Sequence, residues 1–469
     1  MPLKKTKIIC TIGPASESYE TLTELAKAGM DVARINFSHG NHEEKTRVIK
    51  NIRKVSEEVG KPIAIIADLQ GPKLRLGEIE GQLEIQKGQG VSLSSEPRDS
   101  DLPIQFDLSE MIEVGHRIFL NDGLIELEVT EIHGKRIITV ARNSGWISSH
   151  KGVNIPDTHF TKNIFTKKDE EDLNFVLEHD VEYIALSFIQ TPEDVIHVRK
   201  LIEKKEKQAR ICVKIEKNEA IGQLEEIVSQ SDVIMIARGD LAIETSASQV
   251  PVLQQRIIRL GRQYQKPVIV ATQMLESMIE NPRPTRAEAS DVAYAVMYQV
   301  DAVMLSAESA AGKYPVQSVQ VMHDIIHSVE NNPEYNYYIK IDWEHIGSES
   351  LQSNAITSSA SSLSYKLKTS VLAVATSKGA TARNIASFRP NATIVAVTHD
   401  ETTRNQLNLV WGLYPFTLLP TDSSDTYWEA IGKTILDNKI GNKDEKVVMV
   451  GGTKVGVSGA TDTIKVVTL

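Results

Sequence analysis

One pattern recurs through most of this chain: a short apolar segment ends in a polar residue, and an amphipathic stretch follows it. Near-continuous apolar segments of this length predict strands buried on both faces, which occur in parallel sheets covered by helices. Eight such units favour a closed (β/α)₈ barrel of the α/β class, with a doubly wound open sheet as the structural alternative. The predicted strands span residues 6–10, 32–35, 63–67, 183–186, 211–215, 233–237, 268–271 and 302–305.

The segment 211–216 carries the most informative polar side chains. Its apolar residues share one face of the predicted strand, so Lys214 and Glu216 lie side by side on the other face. The next predicted strand ends near Asp240. Two carboxylates and a lysine at neighbouring strand ends predict a site that holds Mg²⁺ and stabilises developing negative charge, with a surface ion pair as the alternative. Polar residues follow the other predicted strands too: Thr11, Arg34, Asn36, Asp68, Ser187, Thr272, Ser306 and Glu308.

Residues 71–163 interrupt the pattern, because they show no helical period and are punctuated by hairpin-like glycine and asparagine turns. Segments 125–130 and 136–141 are rich in β-branched residues. We therefore expect an all-β domain inserted after the third barrel strand, positioned to close over the site and exclude water. The barrel itself would comprise residues 1–70 and 164–343.

A third unit is expected over residues 344–469, after a linker that starts near residue 332. It has the alternation of a small α/β domain. The predicted strands are 371–375, 394–397, 416–419 and 447–450, and the predicted helices include 379–387 and 427–436.

One loop of this third unit has the residues of a phosphate site. It joins a predicted strand to a helix N-terminus, where free N–H groups and the helix dipole favour an anion. An ordinary capped turn is the alternative. The loop residues are Thr376, Ser377, Lys378, Gly379 and Thr381, and a second loop with further donors carries Gly451, Gly452, Thr453, Lys454, Ser458 and Thr461.

Composition limits the partners. The chain has 469 residues and a formal charge of −10, which argues against nucleic-acid binding. Its two cysteines, Cys10 and Cys212, have no metal-ligand or redox spacing, which indicates a reducing compartment. Neither a signal segment nor a bilayer-length apolar stretch is recognisable, so we expect a cytoplasmic protein without a membrane partner.

Five segments, in chain order, resemble pyruvate kinases of the bacterial type. The resemblance extends over essentially the whole chain and implies transfer of the phosphoryl group of phosphoenolpyruvate to ADP, giving pyruvate and ATP in glycolysis. It also implies a homotetramer with a phosphorylated allosteric effector. The segments are 33–40 (ARINFSHG), 214–216 (KIE), 237–241 (ARGDL), 271–278 (ATQMLESM) and 282–288 (PRPTRAE).

Two alternatives remain open. The lysine–glutamate strand alone would also suit a barrel lyase acting on pyruvate or oxaloacetate. The non-enzymatic alternative is a sensor that binds phosphorylated metabolites without turnover.

The resemblance also implies roles for individual residues. Glu216 and Asp240 would hold Mg²⁺ or Mn²⁺, while Lys214 and Arg34 would neutralise the phosphoryl group. Thr272 would serve protonation of the enolate carbon, through a water relay because a free threonine hydroxyl has the wrong pKa. Backbone amides around Gly239 and Asp240 would bind the substrate carboxylate. The implied nucleotide contacts are Asn36, His39, Arg75 and Lys151.

The segment 68–76 (DLQGPKLRL) departs from the sequence of many family members, which carry a glutamate at the position of Lys73 and need K⁺. A glutamate there adds a negative charge that a monovalent cation offsets, whereas a lysine supplies the positive charge itself. The chain thus resembles the K⁺-independent branch, and we expect activity without K⁺. The residues of the usual monovalent-cation pocket are Asn36, Ser38, Asp68 and Leu69.

The third unit resembles the family's effector domain, with Thr376–Thr381 as its phosphate loop. The opposite loop lacks the basic and aromatic residues that favour fructose 1,6-bisphosphate in some relatives. We therefore expect a monophosphate effector, such as a sugar monophosphate or AMP.

Overall fold

A computed structural model describes residues 3–96, 100–158, 164–332, 351–421, 423–453, 457, 459 and 461–469. The chain begins with three strands separated by two helices. Both helices start at side-chain caps: Ser18 accepts a hydrogen bond from the Thr21 N–H, and Asn41 forms a reciprocal capping box with Glu44. The elements are β1 (Lys7–Ile12), α1 (Tyr19–Ala28), β2 (Val32–Asn36), α2 (His42–Glu58) and β3 (Ala64–Asp68).

The inserted region is built from strands only, within residues 71–96 and 100–158. Six of its strands form one sheet in the order β11-β7-β8-β9-β5-β6, and β10 pairs with β4. A separate apolar core, which includes Leu93, Leu120 and Leu127, lies between these strands. The strands are β4 (Gln82–Ile85), β5 (Gly90–Ser94), β6 (Leu102–Pro103), β7 (Arg117–Leu120), β8 (Ile125–His133), β9 (Arg136–Ala141), β10 (Gly145–Ser148) and β11 (Val153–Asn154).

The barrel pattern resumes with α3 and ends with α11. A 3₁₀ turn, Glu276–Ile279, follows the seventh barrel strand. The elements are α3 (Lys167–Glu178), β12 (Tyr183–Leu186), α4 (Pro192–Lys204), β13 (Arg210–Ile215), α5 (Asn218–Gly222), α6 (Leu224–Gln230), β14 (Val233–Ala237), α7 (Arg238–Glu244), α8 (Val250–Gln263), β15 (Val268–Ala271), α9 (Arg286–Met297), β16 (Ala302–Leu305), α10 (Ala307–Ala310) and α11 (Pro315–Glu330).

The eight parallel strands close into a barrel in the order β1-β16-β15-β14-β13-β12-β3-β2. This confirms the predicted (β/α)₈ architecture and rules out the open sheet. The alternation predicted for β13 also holds, since Ile211 and Val213 pack in the core that includes the surrounding helices, whereas Cys212 joins the cluster inside the barrel. Lys214 and Glu216 therefore continue the inward side and emerge at the mouth.

The C-terminal unit is a five-stranded sheet in the order β19-β18-β17-β20-β21, with β21 antiparallel to its neighbour. One predicted strand is displaced: 416–419 is replaced by β19, which starts earlier and accommodates Pro415 because it lies at the sheet edge. The edge strand β21 was not predicted. The elements are α12 (Leu351–Leu367), β17 (Val371–Ala375), α13 (Ala380–Ser387), β18 (Thr393–Thr398), α14 (Glu401–Leu407), β19 (Leu413–Thr417), α15 (Ser424–Asp437), β20 (Lys446–Gly451) and β21 (Thr463–Thr468).

Among the described residues, no helix combines the length and the apolar character that crossing a membrane requires.

Candidate active site

Arg34 and Asp68 form the first half of a charged cluster at the barrel mouth. They lie near the carboxyl ends of β2 and β3, which are neighbouring strands. The Arg34 guanidinium donates to Asp68 Oδ2 through Nε at 2.8 Å and through a terminal nitrogen at 2.5 Å. Its other terminal nitrogen donates to the Thr11 hydroxyl at 2.9 Å. The arginine is thereby fixed by two strands before any ligand binds.

Lys214 and Glu216 form the second half, at the end of β13. Lys214 Nζ lies 2.7 Å from Glu216 Oε1 and 3.4 Å from Asp68 Oδ1, and it donates to the Ser187 hydroxyl at 2.8 Å. Glu216 Oε2 accepts the Phe188 N–H at 2.9 Å. The lysine thus bridges two carboxylates, which confirms that β13 delivers Lys214 and Glu216 side by side.

Burial sets the protonation of this cluster. The side chains of Asp68 and Glu216 are 3% and 1% exposed, so each charge depends on its neighbours for stabilisation. Burial alone would lower the pKa of Lys214, but Asp68 and Glu216 outweigh it and hold that pKa above its ordinary value. Lys214 therefore stays a cation at neutral pH.

The two carboxylates respond in opposite directions. Burial would raise the pKa of Asp68, yet Lys214 and Arg34 hold it below its ordinary range. For Glu216 burial prevails: its pKa is raised, with Asp240 adding to the rise and Lys214 opposing it. The negative charge of Asp240 therefore reaches Glu216, so the two carboxylates lie in the same part of the barrel mouth.

Thr272 follows β15 and has a left-handed backbone, with φ of +70°. Its hydroxyl donates to the Ala271 carbonyl at 2.6 Å and accepts the Gly239 N–H at 2.9 Å. Arg238 braces the same residue by donating to the Thr272 carbonyl at 2.7 Å. The Gly239 amide, predicted to meet a substrate carboxylate, is thus engaged by Thr272 in this conformation.

Glu216 and Asp240 offer oxygen ligands to a hard cation. No set of three or more His, Cys, Asp or Glu side chains gathers around a metal-sized point within the described part of the chain. A pair of carboxylates is nevertheless the donor set that Mg²⁺ commonly uses, because the ion keeps several waters and takes the rest of its shell from the substrate. The residues therefore fit a magnesium-type site.

Two family models together match most of the chain. The model described as the pyruvate kinase barrel domain matches residues 3–319, and the one described as the pyruvate kinase alpha/beta domain matches residues 354–467. A pyruvate kinase of Sporosarcina psychrophila is 41% identical over 473 residues, which cover 99% of this chain and 80% of that protein. A pyruvate kinase of Staphylococcus aureus strain MRSA252 is 40% identical over the same lengths.

The chain belongs to the pyruvate kinase family. It is accordingly a phosphotransferase that makes ATP and pyruvate from ADP and phosphoenolpyruvate, as the resemblance of its five segments predicts. Pyruvate kinases generally need a divalent metal such as Mg²⁺, in keeping with the pair of carboxylates at the barrel mouth. The family assignment favours this activity over the lyase and sensor alternatives.

The predicted nucleotide contacts of this pyruvate kinase lie on both sides of the mouth. Asn36 Oδ1 accepts the Ser38 N–H at 2.9 Å, and His39 is exposed beyond it. Arg75 forms an isolated bridge with Gly152, next to Lys151, at the base of the inserted domain. Burial, followed by the charges of Arg75, Lys45 and Lys73, lowers the pKa of His39, so barrel and inserted-domain residues converge here.

The predicted effector loop precedes α13. Gly379 has φ of +80°, and its N–H donates to the Thr376 hydroxyl at 3.0 Å. The Thr381 hydroxyl is buried and shares a hydrogen bond of 2.8 Å with Thr461. Lys378 is exposed, and its carbonyl accepts from Arg210, the first residue of β13, at 3.2 Å. In the opposite loop, Lys454 and Ser458 lie outside the described residues.

Sequence reasoning gave no role to three residues close to the site. Ser187, noted only as the polar end of its strand, hydrogen-bonds Lys214. Lys217, which directly follows Glu216, forms a buried ion pair of 2.8 Å with Glu244. The partners in this pair are 27 positions apart and their pairing depends on where α7 ends, so no local pattern identifies it.

Proposed function

We propose that phosphoryl transfer from phosphoenolpyruvate to ADP takes place at the barrel mouth, between Lys214 and Arg34 on one side and Glu216 and Asp240 on the other. The observation that carries this proposal is the position of Lys214, a largely buried side chain whose Nζ lies 2.7 Å from Glu216 Oε1 and 3.4 Å from Asp68 Oδ1. Phosphoryl transfer needs positioned positive charge more than covalent chemistry.

Arg34 and Lys214 would bind the phosphoryl group during its transfer. Both side chains are 13% exposed, so each has a face open to the mouth while its other contacts hold it in place. The reaction breaks the bond between phosphorus and the enol oxygen and forms one to a terminal oxygen of ADP. Lys214 then stabilises the enolate that remains, because its charge is fixed before the reaction starts.

Glu216 and Asp240 would hold Mg²⁺ or Mn²⁺. The bound cation supplies Lewis-acid neutralisation of the carboxylate and enolate oxygens of the substrate. Lys214 Nζ lies 2.7 Å from Glu216 Oε1, so the lysine is next to the carboxylate that would hold the cation.

Thr272 would complete the reaction by directing a proton to the enolate carbon, which gives the methyl group of pyruvate. Its hydroxyl already donates to the Ala271 carbonyl, so a water held near Thr272 is the more suitable donor. Gly239 and Asp240, in the first turn of α7, would contact the substrate carboxylate. Asn36, His39, Arg75 and Lys151 would bind the nucleotide when the inserted domain, residues 71–163, closes over the barrel formed by 1–70 and 164–343.

The direct test is an assay of the purified chain with phosphoenolpyruvate, ADP and Mg²⁺. We expect pyruvate and ATP in equal amounts. Pyruvate from oxaloacetate without ATP would favour the lyase, and binding of phosphoenolpyruvate without either product would favour the sensor.

Activity without K⁺ is a separate part of the proposal. Asp68, in the predicted monovalent-cation pocket with Asn36, Ser38 and Leu69, already pairs with Arg34 and Lys214. Lys73 lies close enough to His39 to lower its pKa, which adds a fixed positive charge on this side of the mouth.

The experiment compares turnover in a buffer that contains K⁺ with turnover in a buffer that contains a large organic cation instead. We expect similar rates for the natural chain and K⁺-stimulated activity for Lys73→Glu. For the natural chain, a fall in turnover of more than about tenfold when K⁺ is left out of the buffer would contradict this expectation. A tenfold fall corresponds to ~1.4 kcal/mol, about one electrostatic contact.

A monophosphate effector, a sugar monophosphate or AMP, would bind the C-terminal unit at residues 376–381, within the predicted domain 344–469. Support comes from the exposed Lys378 and from the left-handed Gly379 at the N-terminus of α13. Activation by either metabolite should disappear in Lys378→Ala/Thr381→Ala, and unchanged activation would remove the assignment.

A homotetramer would have the edge strand β21 as one contact between subunits. Val466 on this strand is 46% exposed, and an open groove lined by Ser362, Leu363 and Ile464 runs beside it. Light scattering should report four copies of the 52.0 kDa chain.

A cytoplasmic location agrees with its two buried free cysteines.

A further inference from the structure

The inserted domain touches the barrel at the far end of α7. Asn154, in β11 of the inserted domain, donates through Nδ2 to Glu244 Oε1 at 3.3 Å. Glu244 is the last residue of α7, and its other oxygen accepts from Lys217 Nζ at 2.8 Å. One carboxylate therefore joins two barrel segments to the inserted domain.

A second contact lies next to the first. Gly123, in the turn between β7 and β8, approaches Ile243 so closely that an added Cβ would lie 3.4 Å from Ile243 Cγ1. The turn thus packs directly on α7, one residue before Glu244. Two neighbouring residues of a barrel helix consequently receive two different parts of the inserted domain.

Glu244 is 4% exposed and Lys217 is 7% exposed, so this ion pair is as buried as those of the catalytic cluster. A buried ion pair adds little stability compared with apolar residues of the same size, and its better-supported use is to fix a geometry. The position of this ion pair indicates that it fixes the placement of the inserted domain relative to the barrel.

The segments that meet here all continue into the active site. Lys217 directly follows Glu216, and Asp240 lies four residues before Glu244 in α7, about 6 Å along the helix axis. On the other side, Asn154 lies three residues after Lys151. The contact therefore lies between the proposed metal ligands of the barrel and the proposed nucleotide contacts of the inserted domain.

We propose that Glu244, held by Lys217, is a positioning residue that docks the inserted domain through Asn154 and so sets its distance from the metal carboxylates. The proposal rests on the proposed function only for the identity of the groups that are positioned. The docking contact itself is observed in the structure whatever the function. The contact would assist steps that use both domains, whereas enolisation of bound pyruvate needs the barrel groups alone.

The principal variant is Asn154→Ala, which removes the docking hydrogen bond and leaves the ion pair intact. Hydrogen bonds to charged groups are stronger than those between neutral groups, so kcat/KM for ADP should fall by about tenfold. Exchange of the methyl protons of pyruvate with deuterium should be unchanged. The matched control is Thr130→Ala, since the Thr130 hydroxyl donates to the Ile138 carbonyl within the inserted domain, away from both contacts with α7.

A double variant, Lys217→Met/Glu244→Gln, keeps a side-chain oxygen for Asn154 and leaves no unpaired buried charge. It removes the ion pair that holds the acceptor, so the affinity for ADP should fall, though by less than in Asn154→Ala. Loss of nucleotide affinity in the double variant but not in Asn154→Ala would overturn the assignment of the docking oxygen.

Domain distance gives a readout that needs no catalysis. Cys10 and Cys212 are buried, so spin labels can be directed to Lys87→Cys on the inserted domain and Lys200→Cys on the barrel. The distance distribution should broaden in Asn154→Ala and stay narrow in Thr130→Ala. An unchanged distribution together with unchanged kcat/KM for ADP would overturn the proposal, while a chain inactive in every form but broadened by Asn154→Ala would overturn only the proposed function.

Discussion

Both ends of the barrel bury charged side chains, but the charges have different partners. At the carboxyl ends of the strands lies a mouth cluster of Arg34, Asp68, Lys214 and Glu216, whose ion pairs are formed within the barrel. At the opposite end lies a base cluster, whose members reach across to the C-terminal unit. The base cluster consists of Lys4, Lys7, Asp31, Asp301 and Arg389.

The base cluster is held largely by backbone groups and by charges of fixed position. Asp301 accepts the N–H groups of Val268 and Trp411 at 3.0 and 3.1 Å, and it pairs with Arg389 at 2.7 Å. Lys7 donates to the Leu413 carbonyl at 2.5 Å. These contacts link the amino ends of barrel strands to the C-terminal unit.

The mouth cluster differs from the base cluster at one carboxylate oxygen of Asp68. Asp68 Oδ1 accepts no hydrogen bond within the described residues, since Lys214 lies 3.4 Å away without hydrogen-bond geometry. Arg34 and Lys214 also keep an exposed face. Similar buried ions thus differ between the two ends in how completely the protein satisfies them, which supports the proposal that the mouth cluster binds ligands.

The largest expected effect is on catalysis at the mouth. Glu216→Gln keeps an acceptor for the Phe188 N–H but removes the charge that would hold a divalent metal. We expect kcat to fall by about 10²–10³-fold, the cost of losing one preorganised electrostatic group, with a higher Mg²⁺ requirement. The exposed Glu193→Gln is the control. If Glu216→Gln keeps its turnover and its Mg²⁺ dependence, the two ends do not differ as described.

The next effect is on stability at the base. Arg389→Met leaves Asp301 buried without its cationic partner, which should lower the free energy of unfolding by about 3 kcal/mol. Turnover at 25 °C should stay within about threefold of the natural chain. Arg117→Met removes an exposed ion pair and should cost less than about 1 kcal/mol. Urea unfolding at fixed protein concentration measures both, and equal losses would contradict the distinction.

The smallest effect is a pH dependence at the base. Burial lowers the pKa of Lys7 to about 7, with Asp31 opposing the shift and Lys4 and Lys61 adding to it. Above that pH the unfolded chain binds a proton that the folded chain does not, so stability should rise with pH. From pH 7 to 8.5 the rise should be about 1–2 kcal/mol at ~1.4 kcal/mol per pH unit.

Replacing Lys7 removes this dependence. Lys7→Met should show a flatter stability profile between pH 7 and 8.5, whereas Lys50→Met, at an exposed position of α2, should follow the natural chain. An identical slope in all three would show that Lys7 keeps its proton in the folded state.

The barrel was predictable because each strand is locally apolar and each is followed by a helix. Side chains two residues apart at the end of one strand, such as Lys214 and Glu216, were also predictable, since the two-residue period fixes their face. Edge strands carried a weaker signal: β21 is partly exposed on most of its length and pairs antiparallel, and β19 contains Pro415.

The contacts that complete the site were not predictable from local pattern. Asn154 and Glu244 are separated by 90 positions, and Lys214 and Ser187 by 27. The first pair requires the inserted domain to lie against the barrel, and the second requires β12 and β13 to be neighbours in it. The engagement of the Gly239 N–H by Thr272 likewise depends on a left-handed backbone at a residue other than glycine.

The most direct test compares one substitution at the two ends. Lys214 and Lys7 are both buried lysines on barrel strands, so Lys214→Met and Lys7→Met remove the same group from the mouth and the base. Measured side by side for pyruvate formation, Lys214→Met should lose at least about 10²–10³-fold in kcat, while Lys7→Met stays within about threefold. Equal losses, or a larger loss for Lys7→Met, would contradict the assignment of catalysis to the mouth cluster.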